Sequence, residues 1–145
     1  LPAARQANLD VLAYGALCRG LLSGRLSIKS QFQGDDLRRV DPKFREPRFA
    51  QYLKAVNRLD QFAKDSYGKG VLELAVRWLL DQPGVSIALW GARRPDQLAA
   101  VGEIMGWSIR LDDFEVIDEI IQECVTDPVG PEFMAPPNPE RTMSA

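Results

Sequence analysis

Apolar positions along this chain recur in two rhythms. From residue 49 to residue 67 they fall at helical spacing: Leu53, Val56, Leu59 and Phe62 form one stripe, and Ala55 and Ala63 widen it. That spacing predicts a single amphipathic helix from Phe49 to Tyr67, ended by Gly68 and Gly70. Val71 to Leu80 predicts a second helix, with Leu72, Ala75, Val76, Leu79 and Leu80 turned inward and Trp78 filling core space. Pro83-Gly84 then turns the chain back. A further helix is predicted from Pro95 to Met105. The last opens on a capping box, Asp112 at the cap and Glu115 three residues on, and buries Phe114, Ile117, Ile120, Ile121 and Cys124 or Val125. Asp118, Glu119 and Glu123 read as its solvated face rather than as paired catalytic carboxylates.

The second rhythm is the short unbroken apolar run. Asp10 to Tyr14 and Val85 to Trp90 read as buried strands. The connection between them is well beyond a minimal crossover, and the fold class reads as α/β, mostly helical with two short parallel strands. That connection begins with a polar, arginine-bearing loop from Ser27 to Arg48, where Gly34, Pro42 and Pro47 interrupt regular structure. Beyond Asp127, prolines at 128, 131, 136, 137 and 139 exclude a helix. Residues 1–126 thus form one unit and 127–145 a Pro-rich tail, docked through Val129, Phe133 and Met134 and mobile from Asn138 to Ala145.

Both strands end in the same way. Tyr14 leads into Gly15-Ala16-Leu17-Cys18-Arg19-Gly20 and on to Ser23-Gly24-Arg25, and Trp90 leads into Gly91-Ala92-Arg93-Arg94-Pro95. Glycine lets backbone approach a ligand, guanidinium groups fork onto phosphate oxygens, and a following helix start offers unpaired N–H groups. Pro95 suits such a start because its missing N–H would be unpaired there. Parallel α/β folds collect their ligands at this end of the strands. The alternative is a pair of ordinary turns with solvated arginines.

Composition narrows the chemistry. The 145 residues are 46% hydrophobic with a formal net charge of −2, enough to bury one core and no reason to expect nucleic acid or an anionic membrane as partner. No apolar stretch approaches the roughly 20 residues that span a bilayer, and no signal-peptide pattern opens the chain. Cys18 and Cys124 make no disulfide framework and point to a reducing, cytoplasmic compartment. Histidine is absent, which excludes Ser-His-Asp and Cys-His catalysis within this sequence. The start at Leu1, without methionine, suggests a processed or truncated product.

Tyr14, Gly15, Ala16, Leu17, Gly20, Leu22, Ser23, Gly24 and Arg25, followed by Gly91, Ala92, Arg93, Gln97 and Leu98, resemble in order and spacing the seventh- and eighth-strand loops of the aldo-keto reductases. The resemblance continues through the intervening helices to Leu111–Val125 and covers only the carboxyl half of the family's fold. It implies the carboxyl-terminal portion of a TIM (β/α)8 barrel, the remainder being supplied by a missing amino-terminal half or a self-associated copy. The family's catalytic aspartate, tyrosine, lysine and histidine belong to that absent half. None is carried onto Tyr14, Tyr52 or Tyr67, which lie outside the tyrosine motif.

Cofactor binding is what the resemblance does carry. Tyr14 would stack on a nicotinamide ring, and the backbone of Gly15, Ala16, Leu17, Arg19 and Gly20 would cradle a pyrophosphate. Arg25 stands where the family has a phosphate-contacting lysine, and Arg38 in the long loop is placed to reach the same phosphates. Gly91, Arg93, Arg94 and Gln97 would surround the adenosine 2′-phosphate, which favours NADP over NAD. Ala16 replaces the loop proline, and Ala100-Val101 replaces an adenine-binding Glu-Asn pair. Trp90 lines the adenosine pocket or fills the barrel's upper layer. The implied function is NADPH-dependent reduction of a small aldehyde or ketone by the intact enzyme. A non-catalytic nucleotide-binding regulatory or scaffold subunit of the same fold, and a purely structural helical domain, are the alternatives.

Overall fold

A computed structural model describes residues 1–130. The element order is α1 (Pro2–Gln6), β1 (Leu12–Ala13), α2 (Arg48–Tyr67), α3 (Val71–Leu80), β2 (Ile87–Ala88), α4 (Val101–Ile104) and α5 (Leu111–Cys124), with 3-10 turns at 18–23, 37–39, 42–44 and 95–98. The strands β1 and β2 pair in parallel, Leu12 opposite Ile87 and Ala13 opposite Ala88. Hydrogen bonds from Ile87 N–H to Val11 O (3.1 Å) and from Leu89 N–H to Ala13 O (2.9 Å) fix that register.

The core lies between helices rather than on the sheet. Val56, Leu59 and Ala63 of α2 meet Val71 and Leu74 of α3 and Ile117 and Ile120 of α5, and Leu21, Phe44, Phe49 and Ile109 close the cluster. Full burial of such a side chain contributes about 1.5–3 kcal/mol, so these contacts dominate local stability. Two devices fix the α2–α3 corner. Gly68 ends α2 at φ +65, a left-handed conformation that glycine adopts without strain. Asp60 of α2 accepts the first N–H of α3, from Val71, at 3.0 Å, and Glu73 accepts that of Gly70 at 3.0 Å.

The helix periods at 49–67 and 71–80 match α2 and α3 closely. Other expectations require correction. Both strands are two residues long and far from buried: Leu12 is 53% and Ile87 47% exposed, because neither has a second neighbour in the sheet. In α3 the buried residues are Val71, Leu74 and Val76, whereas Leu72, Ala75, Leu79 and Leu80 stay half-buried, since a two-stranded sheet is too narrow to cover them. The helix expected from Pro95 to Met105 divides into the 95–98 turn and the single turn α4. Ile104 is buried, but Leu98, Val101 and Met105 are exposed, and a helix that short is not held by propensity alone.

At α5 the cap is Arg110, not Asp112. Asp113 is drawn inside the first turn, where it accepts the Tyr67 hydroxyl and pairs with Arg110 Nη2 at 2.8 Å, and this anchor starts the helix two residues earlier. Ile121 faces solvent, because α5 meets α2 along Ile117, Ile120 and Cys124. Asp118, Glu119 and Glu123 are exposed as expected. In the tail, Val129 N–H reaches the Tyr52 hydroxyl at 2.9 Å; the expectations for Phe133, Met134 and residues 138–145 lie outside the described residues.

Candidate cofactor-binding cleft

A cleft of about 920 Å³ opens at the carboxyl ends of β1 and β2. Its walls are Tyr14, Gly15, Ala16, Leu17, Arg19 and Gly20 after β1, the stretch from Gln33 to Arg38 of the long loop, and Leu89 to Arg93 with Gln97 after β2. A smaller hollow of about 240 Å³ adds Ser23, Arg25, Leu26 and Leu72 and shares Leu17, Gly20, Arg38, Trp90, Gly91 and Gln97 with the larger one. Tyr14 presents its ring at 80% exposure. Among the expected site residues only Arg94 lines neither space.

The turn after β1 is left-handed over three consecutive residues: Cys18 at φ 46, Arg19 at φ 55 and Gly20 at φ 86. Gly15 is also at positive φ, 84. Glycine accepts this region freely, but a residue with a Cβ holds it at a penalty of about 1–2 kcal/mol. The turn's own bonds, Cys18 N–H to Gly15 O at 2.8 Å and Gly20 N–H to Leu17 O at 2.9 Å, are joined by contacts from outside it. Arg19 Nη1 donates to Asp41 Oδ2 at 3.1 Å and to Leu37 O at 3.3 Å, so its guanidinium is drawn onto the long loop instead of standing free in the cleft as a phosphate ligand. Burial pushes the Cys18 thiol above its ordinary range.

Across the cleft, Arg38 is held on two sides. Its Nε and Nη2 form a fork on the Asp36 carboxylate, with Nη2 to Oδ2 at 2.5 Å, and its guanidinium lies 4.4 Å from the centre of the Phe32 ring. Nη1 remains on the cleft side, 3.9 Å from where a side chain on Gly20 would begin. The fork and the Arg38 N–H pull the Asp36 carboxyl down to about 2, and Arg93 adds to the field. Asp36 therefore stays ionised in any neutral medium.

After β2, Arg93 faces the cleft while Arg94 pairs with Asp96 outside it, Nε to Oδ1 at 3.0 Å and Nη2 to Oδ2 at 3.1 Å. That pairing holds the Asp96 carboxyl below its ordinary range. Open space surrounds Gly91, where an added Cβ would meet nothing within 4 Å. The backbone at Gly20 and Gly91 is thus open to a ligand, with the Arg38 and Arg93 side chains on the same space, a donor set that fits a dinucleotide's phosphates.

The structure brings together eleven of the twelve expected residues, and two of those also hold the local structure: the Arg19 side chain ties loops together, and the Gln97 side chain caps a turn. Sequence reasoning missed Gln33, Asp35, Leu26 and Leu72 as lining residues, and it missed Asp41. The Asp-Pro pair at 41–42 was the available signal for Asp41, since such an aspartate caps a turn, as Asp41 does for the Lys43 N–H. Trp90 lines both hollows. Tyr67 and Tyr52 are engaged at the α2–α5 junction and with Val129, and neither lines the cleft. Among the described residues no cluster of three or more His, Cys, Asp or Glu side chains is placed to hold a metal ion, and no helix is long and apolar enough to cross a membrane.

The sequence profile of the Aldo/keto reductase family matches residues 1–122. The chain belongs to this family. It is 56% identical over 140 residues to the aldo-keto reductase YhdN of Bacillus subtilis (strain 168), a match that takes in 97% of the chain and 42% of the relative. The yakc aldo-keto reductase [NADP(+)] of Schizosaccharomyces pombe (strain 972 / ATCC 24843) is 30% identical over 95 residues, 65% of the chain and 27% of that protein. Among solved structures, the glycerol dehydrogenase AKR11B4 from Gluconobacter oxydans superposes with a TM-score of 0.82 at 47% identity, covering 93% of the chain and 41% of that protein. The chain thus spans less than half the length of these relatives, and as an aldo-keto reductase segment it has the architecture of a partial TIM barrel, the expected fold class.

Proposed function

We propose that this chain is the cofactor-binding, carboxyl-terminal portion, residues 1–126, of an NADPH-dependent oxidoreductase that reduces a small aldehyde or ketone to an alcohol. The observation that carries the reading is the convergence of Tyr14, the Gly15–Gly20 turn, Arg38 and Arg93 on one cleft at the strand ends. Tyr14 packs against the nicotinamide ring, the turn and Arg38 hold the pyrophosphate, Arg25 adds positive field from the adjoining hollow, and Arg93 receives the 2′-phosphate. The nicotinamide supplies the hydride. This chain orients it and screens it from water, while protonation of the carbonyl oxygen falls to residues outside the chain.

NADP rather than NAD is supported by Arg93 and by the NADP(+) in the name of the yakc relative. The two free thiols support a reducing, cytoplasmic setting. The deciding experiment is a titration of the protein carrying the whole barrel with NADPH and with NADH, followed by the fluorescence of Trp90. Saturable quenching with NADPH bound at least about fivefold tighter is expected. Binding of neither dinucleotide would remove the reading.

A further inference from the structure

We propose that Asp41 is a positioning residue for dinucleotide binding, holding the Gly15–Gly20 turn in its left-handed form through Arg19. The inference rests on the nucleotide reading of the cleft. Asp41 has no exposed surface, and it is not among the residues that line the cleft. A carboxylate so placed requires compensation, and it has three donors: Lys43 Nζ at 3.0 Å and Lys43 N–H at 3.0 Å on Oδ1, and Arg19 Nη1 at 3.1 Å on Oδ2. Lys43 is two residues away and belongs to the same turn as Asp41. Arg19 is 22 residues away and is the contact that joins separate walls of the cleft.

That contact falls where the backbone most needs support. Cys18 and Arg19 carry side chains in a region such residues avoid, and a conformation of this kind persists only where its surroundings over-determine it. The Arg19 guanidinium, tied to Asp41 and to Leu37 O, is the connection that keeps residue 19 left-handed and the backbone of 15–20 turned to the cleft. Leu37 immediately precedes Arg38, so the same side chain sets the spacing between the glycine turn and the cation facing it. Asp41 therefore acts on the phosphate cradle without touching a ligand.

The test uses the protein carrying the whole barrel and measures binding of NADPH, NADH and 2′-AMP by calorimetry. The last probe has the adenosine 2′-phosphate but no pyrophosphate. Asp41→Asn should weaken NADPH and NADH each by about tenfold and leave 2′-AMP within about twofold. Because Asp41→Asn removes the negative charge beside the buried Lys43 ammonium and so threatens folding, Asp41→Asn/Lys43→Met is measured beside it and should behave the same way. Adding Arg19→Gly to either variant should recover most of the dinucleotide affinity, since glycine holds the left-handed conformation at residue 19 unaided. Wild-type affinity in both variants, an equal loss for 2′-AMP, or loss of the folded state in both would overturn the role of Asp41 alone. Wild-type protein that binds neither dinucleotide would overturn the nucleotide reading and this inference with it.

Discussion

The side-chain oxygen of Gln97 accepts the backbone N–H of both Arg93, at 2.7 Å, and Arg94, at 3.2 Å. One amide thereby fixes the loop that carries the cleft-facing cation. Gln97→Ala removes both bonds. NADPH binding should weaken about three- to tenfold, the effect of two partly exposed hydrogen bonds. Gln97→Glu keeps the acceptor but adds a negative charge beside the 2′-phosphate site. It should therefore weaken NADPH more than NADH, and a cofactor titration of the two variants checks the contrast.

Arg93 and Arg94 are neighbours with different surroundings, the first on the cleft and the second forked onto Asp96. Arg93→Ala should weaken NADPH by about ten- to a hundredfold, as loss of one charge-assisted hydrogen bond does, and change NADH little. Arg94→Ala should change either cofactor by less than about threefold. Equal effects of the two substitutions on NADPH would show that the 2′-phosphate is read elsewhere.

The Asp36–Arg38 fork makes stability depend on pH in a defined window. The folded-state carboxyl titrates at about 2, below the roughly 3.9 of an unfolded aspartate. Its contribution is therefore fully present above about pH 4 and lost as pH falls toward 2. Denaturant unfolding of wild type and Asp36→Asn should differ by about 1 kcal/mol at neutral pH. The difference should be unchanged down to about pH 4.5 and should vanish near pH 2.

The chain by itself leaves Leu12, Tyr14, Ile87 and Leu89 exposed on an open two-stranded sheet. Unpaired edges with apolar side chains associate. Expressed alone, the 145 residues should self-associate in sedimentation and show no carbonyl-dependent oxidation of NADPH. A compact monomer of 16.2 kDa or measurable turnover would contradict the division of labour proposed for the barrel.

Helices α2 and α3 and the placement of the glycine turns were legible because their signals are local. The stripe through Val56 and Leu59 and the glycine at 68 state their own period and end point within a few residues. The same holds for Gly15, Gly20 and Gly91, whose position after an apolar run already marks a ligand end. Where the local signal depended on a partner it failed. The period at 95–105 reads as helix, yet Leu98, Val101 and Met105 meet no core, and the segment divides.

The sequence by itself determined the buried face of α2, the two strand-to-glycine junctions and the family motif they carry, all of which follow from spacing along the backbone. Tertiary structure alone decided which carboxylate ties Arg19 across the cleft. Arg19, Arg38 and Arg94 are alike in one dimension, and each is directed by a carboxylate: Asp41 for Arg19, Asp36 for Arg38 and Asp96 for Arg94. Asp96 and Asp36 lie two residues from their partners, but Asp41 lies 22 from Arg19. A charge is directed by the nearest opposite charge in space, and spatial distance is set by how the long loop folds back on the glycine turn.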